Sequence, residues 1–353
     1  MSRFWSEVTK ALEPYVPGEQ PQLNNIVKLN TNENPYGPSP MVLKAISEET
    51  TANLRKYPDP NATELKQAIA RYHQIRENQV FAGNGSDEVL ALLFTAFFKG
   101  KQPILFPDVT YSFYPVYCKL FEMEYREIPL NSRFEIDVDS YSQPNGGIIF
   151  PNPNAPTGIF LNTGAIEQLL AMHPDSVVVV DEAYVDFGGR SCIPLIDRYP
   201  NLLVVQTLSK SRSLAGLRVG FACGNPELIE GLERVKNSFN SYPLDRLAIA
   251  GATASFNDSN YFRETTEQIV YNRDFLSKGL KTLGFQVLPS RANFVFATHR
   301  LDAGVLKDEL QQQSIFVRHF NGPRIDQFLR ISVGTYREIK LLLSALEEIL
   351  NNA

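Results

Sequence analysis

The sequence predicts an α/β protein: a doubly wound, mostly parallel sheet with helices on its faces, followed by a smaller α+β domain. Three observations carry this. Short β-rich runs recur between residues 103 and 224, with most gaps long enough for a crossover. One of them, Val177 to Val180, is apolar without alternation, the mark of a strand buried on both faces. Beyond residue 225 the pattern changes to long helical periodicities and then to a compact strand–helix–strand alternation.

In chain order, residues 1–30 read as an N-terminal arm, because the first stretch of chain is rich in Pro and Asn and leads into "NTNENPYGPSP". Residues 31–250 read as the large domain. Within it, "ATELKQAIARYHQI" and "SDEVLALLFTAFFKG" carry apolar residues at helical spacing. The strands are "PILF" (103–106), "GGIIFPNP" (146–153), "SVVVVDEAYVDF" (176–187), "NLLVVQTLS" (201–209) and "RVGFACG" (218–224). Residues 251–353 read as the small domain, hinged by the long helices of "NPELIEGLERVKNSFNS" and "NYFRETTEQIVYNRDFLSKGLKTLG". It then runs through "FQVLPSRANFVFATH", the helix "LDAGVLKDELQQQ", the strands "SIFVRHF" and "FLRISVGT", and the closing helix "REIKLLLSALEEIL". No internal repeat or low-complexity tract interrupts this.

Composition bounds the partner. The chain has 353 residues, 43% hydrophobic and 21% charged, with a net charge of -5. That balance offers no global attraction to nucleic acid or anionic lipid, so an anion site must be built locally and the partner is small. There is no signal-peptide core and no apolar run near the ~20 residues that span a bilayer, which predicts a soluble, cytoplasmic protein with neither a membrane nor a nucleic-acid role. Cys118, Cys192 and Cys223 lie far apart with no CxxC pair, as buried thiols of a reducing compartment do. His73 and His173 fall in helical patterns, and no metal constellation is present in the sequence.

Several polar groups fall where strands end, the side on which open α/β sheets bind ligands. "GNGSDEVL" (83–90) is either a phosphate cradle at a helix start, with Asp87 and Glu88 pointing away, or a Gly-rich turn with Ser86 as N-cap. Asp181 and Glu182 end the most apolar strand. A buried carboxylate there needs a cation or donors, and one of the two is expected to face solvent. Lys210, in "QTLSKSRSLAGLRVGF" (206–221), is a solvated lysine on one reading and a nucleophile on the other. A strand-end carboxylate, a phosphate cradle and a lysine trailed by Arg218 suit one cofactor, pyridoxal 5'-phosphate. Its aldehyde takes the lysine, its ring nitrogen the carboxylate, and its phosphate the hydroxyls, arginine and helix end.

"NENPYGPSP", "YPDP", "GNGSDE", "PNPNAPTG", "VVVVDEAYVDF", "TLSKSRSLAGLRVG" and "LRISVGT" occur in the order typical of fold type I pyridoxal phosphate enzymes, and from about residue 14 onward the set most resembles the histidinol-phosphate aminotransferase family. The resemblance implies that Lys210 bonds the cofactor aldehyde and moves the substrate's Cα proton. It implies that Asp181 meets the ring nitrogen, Tyr184 the phenolic oxygen, and Ser86, Asp87, Ser209 and Arg218 the phosphate. Tyr111 resembles the aromatic stacked on the ring, and Tyr57 a residue that reaches the phosphate of a neighbouring subunit, implying a homodimer with shared sites. The sequence departs from the family at Ala155, where many relatives have an Asn; either Asn154 reaches in or Tyr184 makes the contact alone. On the substrate side Arg330 resembles the carboxylate-binding arginine, with Arg318, Asn293 and Tyr15 beside it. Ser211 has no assigned role. The implied reaction is amino transfer between histidinol phosphate and 2-oxoglutarate in histidine biosynthesis. The rivals are an aromatic amino acid aminotransferase, a threonine-phosphate decarboxylase of the same fold, and an aminotransferase-like regulator, for which no basic DNA-binding helix is present.

Overall fold

The computed structural model describes residues 2–15, 18–21, 25–100 and 102–352. The N-terminal part gives helix α1 (Glu7–Ala11), strand β1 (Val27–Leu29), and helices α2 (Pro40–Glu49) and α3 (Thr63–His73). A seven-stranded sheet follows, built from β2 (Val80–Asn84), helix α4 (Gly85–Leu93), β3 (Ile104–Pro107), helix α5 (Phe113–Leu120), β4 (Tyr125–Ile128), β5 (Gly147–Pro151), helix α6 (Thr163–Met172), β6 (Val178–Asp181), β7 (Leu202–Thr207) and β8 (Val219–Gly224). Its strand order is β2-β8-β7-β6-β5-β3-β4, and only β8 runs antiparallel to its neighbours. Burial on both faces is borne out at single-residue resolution: Val178 and Val180 pack into one apolar cluster while Val179 packs into another across the sheet. Each fully buried valine contributes roughly 1.5–3 kcal/mol of transfer free energy, which fixes this strand at the centre.

The helices α7 (Pro226–Phe239), α8 (Arg246–Asn257) and α9 (Ser259–Thr282) then lead to β9 (Gln286–Val287), β10 (Phe294–Thr298), helix α10 (Ala303–Gln312), β11 (Ile315–His319), β12 (Phe328–Ser332) and helix α11 (Tyr336–Asn352). Helix starts are set by side-chain caps: Asn162, Asn225, Asp245, Asp258 and Asp302 each accept a first-turn N–H. Asp258 thereby separates α8 from α9. The second sheet has the order β1-β11-β12-β10-β9. Its outer strand β1 comes from the segment read as an arm: Val27 and Leu29 are buried, and the strand pairs in parallel with β11. Arg273 of α9 spans the two sheets' territories, donating to the Phe187 carbonyl (2.6 Å) and the Ala292 carbonyl (3.0 Å). No helix among the described residues is long and apolar enough to cross a membrane.

Candidate active site

The large sheet delivers its polar residues to one edge. β6 ends on Asp181, β7 runs into Ser209 and Lys210, β2 runs directly into α4, and Tyr111 follows β3. β8 starts at this edge because it runs the other way, which places Arg218 beside the start of α4. Across from this edge stand β11 and β12, with Arg318 and Arg330 as direct cross-strand partners.

Between them lies a cleft of two connected chambers. One, of about 250 Å3, is lined among others by Ser86, Asp87, Asp181, Ser209 and Arg218. The other, of about 350 Å3, is lined by Tyr15, Arg318, Arg330 and Phe320. Thr31, Tyr111, Ala155, Tyr184, Lys210 and Arg218 line both. Lys210 Nζ donates to the Thr31 carbonyl (3.1 Å) and stands 5.9 Å from the Tyr184 ring centre.

Asp181 is 4% exposed, and its carboxylate accepts from the Tyr114 hydroxyl (3.0 Å) and the Ala183 N–H (3.3 Å). Burial pushes its carboxyl up to about 6, against the pull of these two donors. Among the described residues no lysine or arginine pairs with it, so this carboxylate is left waiting for a cation in the chamber. A protonated ring nitrogen fits that need.

The phosphate end is built by close backbone approach. Gly85 adopts φ +76°, and a Cβ there would sit 2.6 Å from Arg218 Nη2; a Cβ on Gly220 would collide with the backbone of Ser86. These two glycines therefore let the first turn of α4 lie against Arg218. Asn84 gives α4 no side-chain cap, and Ser86 lies inside the helix rather than capping it. First-turn N–H groups so left open are an anion site. Ser209 Oγ accepts from Thr207 Oγ1 (3.0 Å), which leaves its own proton to give. The expectation that Asp87 points away fails: its carboxylate takes Arg218 Nη2 (2.8 Å) and the Tyr111 hydroxyl (3.1 Å) in the chamber. Glu88 does turn back, accepting from the Asn84 N–H (2.6 Å).

Arg330 donates to the Asn30 carbonyl (3.0 Å) while its buried Nε has no partner, and its guanidinium lies over the Phe294 and Phe320 rings. Donors left open on an arginine lining a cavity fit an anion. Tyr15 lines the same chamber, packed on Phe113 at 4.5 Å between ring centres.

Three expected residues lie elsewhere. Asn154 does not line the cleft: its Nδ2 is committed to the Val109 carbonyl and Thr157 Oγ1, both at 3.0 Å, and it borders a neighbouring cavity instead. Asn293 sits one layer behind the cleft, donating to the Asn32 carbonyl (2.9 Å). Tyr57 is 79% exposed and stacked on Tyr242 at 4.7 Å, outside the cleft of its own chain.

The model of the aminotransferase class I and II family matches residues 24–346. The chain belongs to that family. It is 62% identical over 347 residues to histidinol-phosphate aminotransferase 1 of Pseudomonas aeruginosa, covering 98% of this chain and 99% of that one. It is also 62% identical, over 350 residues, to histidinol-phosphate aminotransferase 1 of Methylococcus capsulatus, covering 99% and 98%. The histidinol-phosphate aminotransferase of Sinorhizobium meliloti, solved in complex with pyridoxal-5'-phosphate, shares its fold with a TM-score of 0.88 at 24% identity, covering 100% and 99%. Pyridoxal 5'-phosphate is the cofactor of this aminotransferase, and Asp181, the glycine-opened helix start and Lys210, the one lysine lining the cleft among the described residues, fit its ring nitrogen, phosphate and aldehyde.

Some of the aminotransferase's site residues escaped sequence reasoning. Tyr114 orients Asp181, and Asn32 donates to the Tyr184 hydroxyl (3.0 Å). Ser211 acquires a role, donating to Asp186 (2.5 Å) in the turn that follows Tyr184. The expectation that one of Asp181 and Glu182 faces solvent fails, because Glu182 too is buried, at 2% exposure. It accepts from the Cys192 N–H (2.6 Å), Ser191 Oγ (2.6 Å) and Gln206 Nε2 (2.8 Å), tying down the loop after Tyr184.

Burial pushes the Glu182 carboxyl up to about 7 from an ordinary 4.5, against those donors. A raised folded value means the folded state favours the neutral acid. That contribution is complete below the unfolded value and is lost as pH climbs through about 7. Glu182→Gln removes the ionisation. Its stability advantage over wild type is expected to grow from near zero at pH 4 to about 2–3 kcal/mol at pH 8. Urea unfolding of the cofactor-free protein across that range reads it, and a difference that does not change with pH refutes it.

Proposed function

We propose that this aminotransferase exchanges an amino group between L-histidinol phosphate and 2-oxoglutarate, as a cytoplasmic enzyme of histidine biosynthesis acting as a homodimer. The observation that carries the substrate class is the Arg318–Arg330 pair, cross-strand neighbours lining one chamber, with a buried Nε left open on Arg330. One substrate brings a phosphate to this place and the other a carboxylate. Two adjacent guanidinium groups suit both, because each presents a planar fork of donors to either anion.

When bound, the cofactor supplies a ring that draws off the electron pair released as the substrate's Cα–H bond breaks. The chain's residues do the rest. Lys210 Nζ would take the proton from Cα and deliver it to the cofactor's former aldehyde carbon, Asp181 would hold the ring nitrogen protonated, and Arg330 with Arg318 sets the substrate's orientation. The α4 start, Ser209 and Arg218 hold the phosphate, and Tyr111 covers the ring. Tyr57, exposed, outside the lining of its own cleft and stacked on exposed Tyr242, supports a dimer in which it completes the partner's site.

The test is an assay of the pure protein with glutamate as donor against imidazole acetol phosphate and phenylpyruvate, and with threonine phosphate alone. Imidazole acetol phosphate is expected to exceed phenylpyruvate by at least about 10-fold in kcat/KM, since phenylpyruvate offers the guanidinium pair a singly charged carboxylate in place of the phosphate and lacks the polar nitrogens of the imidazole. A preference for phenylpyruvate, or release of CO2 from threonine phosphate, overturns the substrate assignment.

A further inference from the structure

Asn32 occupies a junction that the reaction as described does not use. It is buried at 1% exposure and adopts φ +56°, a left-handed conformation that asparagine tolerates better than most residues. Its backbone N–H donates to Ser332 Oγ (2.9 Å), its carbonyl accepts from Asn293 Nδ2 (2.9 Å), its Oδ1 accepts from Ser332 Oγ (3.0 Å), and its Nδ2 donates to the Tyr184 hydroxyl oxygen (3.0 Å). The amide's orientation follows from this pattern. Ser332 Oγ already accepts the backbone N–H, so its single proton goes to Asn32 Oδ1, and the NH2 end is turned to Tyr184.

A phenol that accepts one hydrogen bond keeps its own proton for a different partner. Tyr184 lines both chambers of the cleft, its ring held edge-on by Phe294 at 5.0 Å between centres. Ala155 has no amide to offer, and Asn154 spends its NH2 group on Val109 and Thr157. We propose that Asn32 is a positioning residue for Tyr184: it saturates an acceptor site of the phenol so that the Tyr184 proton is given to the cofactor's phenolic oxygen, in place of the donor missing at Ala155. This rests on the cofactor assignment. The charged and titratable groups facing Tyr184 among the described residues are Lys210, Arg330 and Tyr111.

A hydrogen bond given to the phenolic oxygen favours its anionic form and so lowers the pH midpoint at which the bound cofactor's visible absorption changes. Asn32→Asp keeps the shape and the left-handed backbone but offers only acceptors, so Tyr184 turns its proton to the new carboxylate. The midpoint is expected to rise by about one pH unit. Asn32→Gly, which suits φ +56° and adds no charge, is expected to raise it by about half a unit. In a Tyr184→Phe background neither change should move the midpoint further. A merely structural role predicts lower thermal midpoints with the spectral titration unmoved. The inference is overturned if both Asn32 variants titrate as wild type does, or if Asn32→Asp shifts the midpoint equally with and without the Tyr184 hydroxyl. If wild type forms no visible band with pyridoxal phosphate, it is the cofactor assignment that falls.

Discussion

Lys210→Ala is expected to bind pyridoxal phosphate and turn over at least about 10,000-fold more slowly than wild type, because one side chain serves as both nucleophile and proton carrier. Lys210 is the only lysine among the described residues lining either chamber. The other cations there are the guanidinium groups of Arg218, Arg318 and Arg330, which stay protonated and so neither attack an aldehyde nor accept a proton. Its Nζ rests on the Thr31 carbonyl beside Tyr184, in the buried turn that follows β7. The same variant tests the shared site. Tyr57→Ala leaves Lys210 intact but removes the residue proposed to reach the partner's phosphate. Mixed with Lys210→Ala it should restore activity, because one site of each heterodimer then holds both wild-type residues. Confirmed heterodimers with no recovered activity remove Tyr57 from the partner's site. Turnover retained by Lys210→Ala ends the mechanism.

What was legible in the sequence, and what was not, divides along physical lines. Asp181 was readable because it terminates a run of buried valines, and the ends of such strands meet ligands; Lys210, three residues past β7, was readable only in company with Asp181, the glycine-rich helix start and Arg218. β1 was missed because three residues, Val27–Leu29, show no periodicity, and β2 because "VFAGN" carries a glycine in its last turn toward α4. β4, "YREI", is an edge strand with exposed charges. Arg318 and Arg330 came from family resemblance, and their side-by-side placement depends on a register between β11 and β12 that local pattern does not encode. Asn32 and Tyr184 are 152 positions apart in sequence, and Tyr114 and Asp181 67 apart. The second pair exists only once the large sheet and its helices are assembled, and the first only once the segment after β1 meets the end of β6. Asn154 failed for a local reason: the chain turn at 152–156 aims its amide at Val109 instead of the cleft.

Asp181→Asn is expected to reduce kcat/KM by about 1,000-fold and to weaken cofactor binding, because it removes a charge. A full charge beside the ring nitrogen, at roughly 4 Å and an effective dielectric constant near 20, is worth about 4 kcal/mol, and that is the interaction an amide forfeits. The site is prepared for it. Asp181 is buried, held by the Tyr114 hydroxyl and the Ala183 N–H, and unpaired with any lysine or arginine among the described residues. Its carboxyl, pushed up to about 6 by burial, is brought down again when a cation binds beside it. Cofactor binding therefore releases a proton from Asp181 at pH values below about 6, and the wild-type advantage in affinity over Asp181→Asn should be full above that pH and shrink below it. Tyr114→Phe separates charge from orientation. It leaves the carboxylate in place but removes a donor that favours its ionised form, so a loss of only about 10-fold is expected, with the pH at which affinity falls moved upward. Equal affinities of wild type and Asp181→Asn at pH 8, measured by fluorescence titration of the cofactor-free protein, would show that the carboxylate does not face the ring nitrogen.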